Sequence, residues 1–266
     1  MDSFSLKQKR VVIIGGSQGI GLAVAQAASA AGAWVAIASR SKDKLTRAAT
    51  TILGEVETYS IDFTHEDEVA DLFQNKIREF DHLVVTAFSF SGGPIAKLPM
   101  SDAKAIFEGK FWGAYQAIKY ARPYLSDSGS ITLFSGNMSQ RPGGGGFAAG
   151  IAAGGALEIL GRALAVELGP IRVNVISPGV VDTPAWGLLN DKFRETMFDQ
   201  ARQLFPVGRI AEPEDLAHAT LALMTNKFIT GVTLLVDGGE VLSMFPQPEM
   251  KEDVGKMTHP LVEIEV

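Results

Sequence analysis

Arg10-Val-Val-Ile-Ile-Gly15-Gly-Ser-Gln-Gly19-Ile-Gly21 decides the fold. Four consecutive β-branched residues with no polar alternation describe a strand buried on both faces. A glycine-rich turn follows, and then an Ala-rich stretch from about Gln18 to Ala31 with helical composition. Gly32 stands where a helix C′ glycine belongs. Strand, glycine turn and helix in this order place Gly15, Ser17, Gln18, Gly19, Ile20 and Gly21 at a helix N-terminus. There the backbone approaches closely and free N–H groups attract a pyrophosphate.

The same rhythm continues outward. Trp34–Ala38, Glu55–Ile61 and His82–Ala87 read as strands. Ser41–Leu53 and a stretch from Thr64 to about Phe80 read as helices between them. A long helix is expected from Ser101 to about Tyr124, then a strand at Ser130–Phe134. A loop at Gly143–Gly146 leads into an Ala/Gly-rich helix ending near Leu168, followed by a strand at Ile171–Ile176. Glu212-Pro-Glu-Asp215 opens a helix to about Met224, and Val232–Val236 is the last strand. Alternation of this kind implies an α/β chain. We expect a single Rossmann-type doubly wound parallel sheet of about seven strands, with helices on both faces. Residues 180–208 interrupt the rhythm and read as a lobe over the carboxyl edge of the sheet, where ligands bind in such folds. Residues 240–266, with Pro246, Pro248 and Pro260, read as a tail that packs on a neighbour.

Composition narrows the function. The chain has 266 residues, 46% hydrophobic and 20% charged, so a sizeable core is within reach. A net charge of −6 argues against nucleic acid as the main partner. Cysteine is absent, which excludes disulfides, thiolate metal sites and a cysteine nucleophile. His65, His82, His218 and His259 show no metal-ligand spacing, and no metal is expected. The polar start Met1–Arg10 has no signal-peptide character, and the apolar run from Ala23 to Ala38 is interrupted by Gln26, Ser29 and Gly32. A soluble, cytoplasmic protein with no membrane partner is expected. The second strand ends in Ser39-Arg40 rather than in a carboxylate. A hydroxyl and a guanidinium suit a ribose 2′-phosphate, so the cofactor is read as NADP(H), with Lys42 available nearby.

Along residues 7–240 the chain resembles the short-chain dehydrogenase/reductase family. The resemblance rests on Gly15-x-x-x-Gly19-x-Gly21, Asp62-Phe63, Arg172-Val-Asn-x-x-Ser-Pro178-Gly179, Asp182-Thr183-Pro184 and Asp237-Gly238-Gly239. It implies that Asp62, with Phe63 beside it, accepts from the adenine amino group; the residue-level alternative for Asp62 is a cap for the Thr64 turn. It implies further that Pro178, Gly179, Val181 and Thr183 line the nicotinamide, with Thr183 near its carboxamide. The family's Asn-Asn-Ala-Gly stretch falls at Val85-Thr86-Ala87-Phe88, which puts Ala87 at the cofactor. A homodimer or homotetramer through the helices at 101–125 and 146–168 is also implied.

The departures lie in the family's Asn, Ser, Tyr and Lys. The Tyr-x-x-x-Lys positions are Gly150 and Gly154, and the Asn position is Lys110. The Ser position is Ser135 or Gly136. Glycine cannot relay a proton or hold a ribose. Certain fungal alkaloid reductases of the family that also catalyse Diels–Alder reactions resemble this chain in that loss, although their expected Asp-Pro-Gly-Trp stretch stands here as Ser177-Pro178-Gly179-Val180. Candidate replacements are Lys110, as an acid in an apolar pocket or as a surface lysine paired to Glu108; Arg141, as an oxyanion holder or a solvated loop residue; and Ser135, as a substrate hydrogen-bond donor or a strand-end cap. Phe88, Phe90, Trp112, Trp186 and Phe193 are candidates for an aromatic substrate pocket or for core. The expected activity is NADPH-dependent reduction of a carbonyl, imine or iminium small molecule without the usual relay. The alternatives are a non-redox cyclase-like or ligand-binding protein that keeps NADP(H) structurally, and a cofactor-sensing regulator.

Overall fold

The computed structural model describes residues 4–87, 92–143, 145–188 and 190–243, without the side chains of Leu188 and Phe193. Seven parallel strands run in the order β3-β2-β1-β4-β5-β6-β7: β1 Arg10–Ile14, β2 Trp34–Ser39, β3 Val56–Ser60, β4 Phe80–Val85, β5 Leu125–Phe134, β6 Arg172–Pro178 and β7 Thr233–Val236. The helices are α1 Gly19–Ala30, α2 Lys42–Ala49, α3 Glu66–Asp71, α4 Met100–Phe107, α5 Gly113–Ala121, α6 Ala148–Glu167, α7 Asp191–Leu204 and α8 Pro213–Thr225. Strand order reverses between β1 and β4, so a cleft opens at their carboxyl ends.

β1 shows why the apolar run is continuous. Val12 and Ile14 pack in one core layer with Leu83, Ile131 and Ala117. Val11 and Ile13 pack in the other with Val24, Val35 and Leu216. Every position after Arg10 is buried, on one face or the other. α6 is long and apolar enough to cross a membrane by length and composition. Here it lies on β6, and a Cβ at Gly161 would come within 2.5 Å of Val175 Cγ2, so glycine lets the helix approach the sheet. Arg172 and Asn174 turn out to be a clamp. Arg172 donates to the carbonyls of Leu223 and Met224 at the end of α8, and Asn174 joins Ile229 and Val232 before β7.

Several expected boundaries shift. The helix expected to reach Phe80 is a short α3 continued by one π turn, Leu72–Lys76, and the next strand already begins at Phe80. The wide turn keeps the adjacent Leu72 and Phe73 both inside the core. The helix expected over 101–124 is α4, a π turn at Glu108–Trp112, α5 and a 3-10 turn. β5 begins at Leu125 rather than Ser130. The segment after β6 carries its own small apolar cluster of Phe198, Ala201, Phe205 and Ile210, with Trp186 against it. Glu240–Leu242 is a 3-10 turn on this chain's own cleft, not a free tail; residues 244–266 lie outside the described residues.

Candidate active site

The glycine turn closes on itself. Gly15 and Gly19 have φ of +91° and +54°, which favour glycine. A Cβ at Gly21 would lie 2.1 Å from the Gly15 carbonyl oxygen, so α1 starts directly against the turn. Gln18 precedes α1 without capping it, and the first turn carries no acidic side chain. The helix N-terminus therefore presents its N–H groups to the cleft. Ser17 and Ser39 are both buried, and neither hydroxyl has a partner among the described residues. Two orphaned hydroxyls, one in the glycine turn and one next to Arg40, are a physical sign that a polar group belongs there. Ile14, Gly15, Ser39, Arg40, Ile61, Phe63 and Ala87 line one small cavity beside the glycine turn.

Asp62 serves the Thr64 turn. Its Oδ1 accepts from the backbone N–H and the hydroxyl of Thr64, at 2.9 and 2.7 Å. That is a local turn bond; the cap of α3 itself is His65. Burial raises the Asp62 pKa, but the Thr64 bonds, Arg40 and His65 outweigh it and hold the carboxyl below its usual value. Phe63 is buried against Gly113, where a Cβ would meet the ring at 2.4 Å. Thr86 does work that the sequence did not reveal. Its hydroxyl donates to the carbonyls of Ile14 and Gly15, tying β4 to the glycine turn.

Across the cleft, Pro178 ends β6 and Gly179 follows it. A Cβ at Gly179 would lie 2.6 Å from Glu240 Oε2. Glu240 accepts from the Val180 N–H and bonds Asn137, while burial drives its pKa up. Val181 is buried and bridges Ala211. Thr183 faces the glycine turn: its Cβ is 3.4 Å from where a Gly19 Cβ would stand. Thr183 also borders an open cleft with Asp182, Pro184, Gly187, Arg194, Glu195 and Phe198.

The proton-transfer side is rebuilt. A Cβ placed at Gly136 or Gly150 meets nothing within 4 Å, and one at Gly154 meets nothing closer than 3.7 Å. Gly136 and Gly150 thus have room for a side chain, while Gly154 is buried at ordinary contact distance from Lys110 and Ser135. Ser135 does not face that room. Its Oγ donates to Glu158 Oε1 at 2.8 Å inside the wall, so Gly136, not Ser135, stands at the opening. Glu158 is buried and also accepts from Ser139 and, at 2.6 Å, from Gln140. This carboxylate pins the loop after β5 to α6.

Lys110 rides on the π turn and donates from Nζ to the Ser135 carbonyl at 3.0 Å. Burial of the ammonium pushes its pKa down to about 8, against the attraction of Glu158. Arg141 is an exposed loop residue, as its solvated alternative had it. Its guanidinium donates to the carbonyls of Val241, at 2.9 Å, and Ser243, and so holds the C-terminal stretch. Trp112 is half exposed on the outer surface beside Tyr115, and Trp186 belongs to the small cluster under α7. Phe88 and Phe90 lie outside the described residues, as does the Phe193 side chain. Among the described residues no group of acidic or histidine side chains has metal-site geometry.

A family model described as enoyl-(acyl carrier protein) reductase matches residues 15–240. The short-chain dehydrogenase/reductase malC of Malbranchea aurantiaca is 32% identical over 260 residues, covering 89% of this chain and 96% of that protein. A small-chain dehydrogenase solved in complex with NADPH superimposes with a TM-score of 0.78 at 35% identity, covering 88% of this chain and 99% of that one. The MalC reductase/Diels–Alderase structure from the same Malbranchea species gives 0.82 at 32% identity, over 89% and 97% of the two chains.

Proposed function

Because the chain belongs to the short-chain dehydrogenase/reductase family, we propose that it is an NADPH-dependent reductase of an imine, iminium or carbonyl small molecule, working without a tyrosine–lysine relay. The observation that carries this reading is the contrast within one cleft. The glycine turn, the orphaned Ser17 and Ser39 hydroxyls and Arg40 suit a 2′-phosphorylated dinucleotide, while Gly150 and Gly154 supply no tyrosine or lysine side chain, with Lys110 the acid beside Gly154.

When bound, NADPH supplies a hydride. The first-turn N–H groups of α1 hold the pyrophosphate, and Ser17, Ser39 and Arg40 take the 2′-phosphate. Asp62 Oδ2 remains for the adenine amino group, since Thr64 occupies Oδ1. Thr183, close over Gly19, orients the carboxamide, with Pro178, Gly179 and Val181 behind it. An iminium carbon that accepts a hydride becomes a neutral amine and needs no proton, which suits a site lined by glycine. A carbonyl leaves an alkoxide, whose proton comes from Lys110 or from solvent. The open volume also favours a bulky substrate.

The test is a matched panel of preformed iminium ions and neutral ketones of similar size, with NADPH absorbance followed. Iminium ions are expected to turn over and simple ketones to be poor. Ketone reduction at equal efficiency contradicts the missing relay. A second reading has support from a relative described as a reductase/Diels–Alderase. In it the bound nucleotide shapes the pocket for a cyclisation, and product forms without NADPH consumption. Exposed Trp112, Tyr115 and Ile159 on α6 and the segments before it favour a homodimer or homotetramer.

A further inference from the structure

Asp237, just after β7, is buried, and its two carboxylate oxygens accept from the backbone N–H groups of Gly239 and Val241 at 3.0 and 2.9 Å. Gly238 and Gly239, with φ of +63° and +85°, turn the chain there. Arg141 grips the far end through the carbonyls of Val241 and Ser243. The 3-10 turn Glu240–Leu242 is thus held at both ends, and its first side chain reaches the carboxyl ends of β5 and β6. Glu240 Oε2 accepts from the Val180 N–H at 3.2 Å, just after β6, and the carboxylate also bonds Asn137, buried just after β5. We infer that Glu240 is a positioning residue: its carboxylate sets the segment from Gly179 to Thr183 against the loop after β5, and so holds the wall on which the nicotinamide ring rests. The inference rests on the NADP(H) reading of the cleft given above.

Three features support it. First, the segment's other bonds lie on its far side. The Gly179 N–H donates to the Val236 carbonyl at 3.1 Å, the Val180 carbonyl accepts from the Ala211 N–H at 3.0 Å, and the Asp182 N–H donates to the Ala211 carbonyl at 2.8 Å. Those bonds tie it to β7 and to the approach to α8, whereas Glu240 ties it to β5. Without Glu240 the part-buried Val180 N–H loses its acceptor. Second, the space at Gly179 is already taken. A Cβ there would lie 2.6 Å from Glu240 Oε2 and 2.9 Å from Asp237 Cα, so the carboxylate stands where a side chain of the wall would be. Third, the segment ends on the nucleotide turn. Thr183 Cβ is 3.4 Å from where a Gly19 Cβ would stand, so a shift at Val180 is passed along three residues to the glycine turn. A group that merely filled this space would be better apolar. Burial drives the Glu240 pKa up, the bonds from Asn137 and Val180 draw it down, and Asp237 raises it again, with no cation acting on it.

The experiment uses the full-length protein and two probes. 2′,5′-ADP carries only the adenosine and 2′-phosphate, whereas NADPH also brings a dihydronicotinamide ring whose emission reports its surroundings. Glu240→Ala removes the carboxylate, and Glu240→Leu removes it while keeping the bulk. Glu240→Gln keeps an oxygen for Val180, and the Asn137 amide can turn its carbonyl to the new NH2 group. Each variant is checked for folding by its thermal melt. The Ala and Leu variants are expected to bind NADPH about tenfold more weakly, the scale of hydrogen bonds to a charged group, and 2′,5′-ADP as wild type does. In both, the emission of bound NADPH at saturation is expected to fall toward that of free NADPH. The Gln variant is expected to stay within about threefold of wild type in NADPH affinity. Folded Ala or Leu variants with wild-type NADPH affinity and emission overturn the role of Glu240. Equal loss of both probes, or failure of both variants to fold, assigns Glu240 to the fold as a whole and overturns it too. A Gln variant as poor as the Ala variant overturns the hydrogen-bonded linkage. Wild-type protein that binds neither probe overturns the cofactor reading itself, a pattern that none of the other outcomes produces.

Discussion

The nucleotide side of the cleft and the substrate side are built from different kinds of information. The nucleotide side, β1 to β4, works mostly through backbone: glycines at positive φ, helix N–H groups and close approach of turn to helix. A Cβ would collide at Gly15, Gly16 and Gly21, and Gly19 is held by its positive φ. The substrate side also has glycines, but a Cβ at 136 or 150 would meet nothing within 4 Å, and one at the buried Gly154 only ordinary contacts from 3.7 Å. There glycine marks a side chain that is missing, not a backbone that needs freedom. On the proposed reading, the same residue type means a retained site on one side and a vacated one on the other. A function held by backbone cannot move without remaking the fold, whereas a function held by one side chain can pass to a neighbouring helix.

The largest expected effect breaks the nucleotide side. Gly21→Val drives a Cβ onto the Gly15 carbonyl oxygen, 2.1 Å away. It should abolish NADPH binding and destabilise the fold by at least about 3 kcal/mol, read by titration and denaturant unfolding. Next, Arg40→Ala should weaken NADPH by roughly 1.5–3 kcal/mol and leave NADH nearly unchanged. Equal loss for both nucleotides removes Arg40 from the 2′-phosphate.

A third test falls on β4, the strand between the two sides. His82 is buried against Ser130, and burial, with help from Arg172 and Lys9, takes its pKa down to about 4 although Asp81 opposes it. The unfolded chain then binds a proton that the folded one refuses. Stability should be full above pH 6.5, decline as pH falls toward 4, and be lower by about 2 kcal/mol at pH 5. Urea midpoints at pH 5 and 7, with His82→Asn as the flattened control, read this out.

The smallest effect sharpens the contrast. Gly150→Ala adds a methyl group to open space on a helix, and should raise stability by about 0.5–1 kcal/mol. A loss of that size would mean that the α6 glycines are packed like those of the turn.

The sequence made the sheet legible because strand and helix periodicities are local. It also exposed the phosphate turn and the absence of the Tyr and Lys side chains. The two π turns were not legible. A π turn differs from an α-helix by one register shift and has no composition of its own, yet the one at Glu108–Trp112 carries Lys110 to the Ser135 carbonyl just after β5. Glu158 was missed because its partners, Ser135, Ser139 and Gln140, lie far from it along the chain. The choice between Ser135 and Gly136 needed a direction, which spacing cannot supply. The binding of Arg141 to Val241 and Ser243 spans about a hundred residues, and only the folded chain brings them together.

The central claim is that the hydride half of the reaction operates where the proton half has been vacated. Its most direct test is transfer of deuterium from 4-deuterated NADPH to a preformed iminium ion and to the matched neutral ketone, read by product mass. The account expects deuterium in the amine and little or none in an alcohol. Efficient labelling of the alcohol, or no transfer to either substrate while NADPH remains bound, would contradict it.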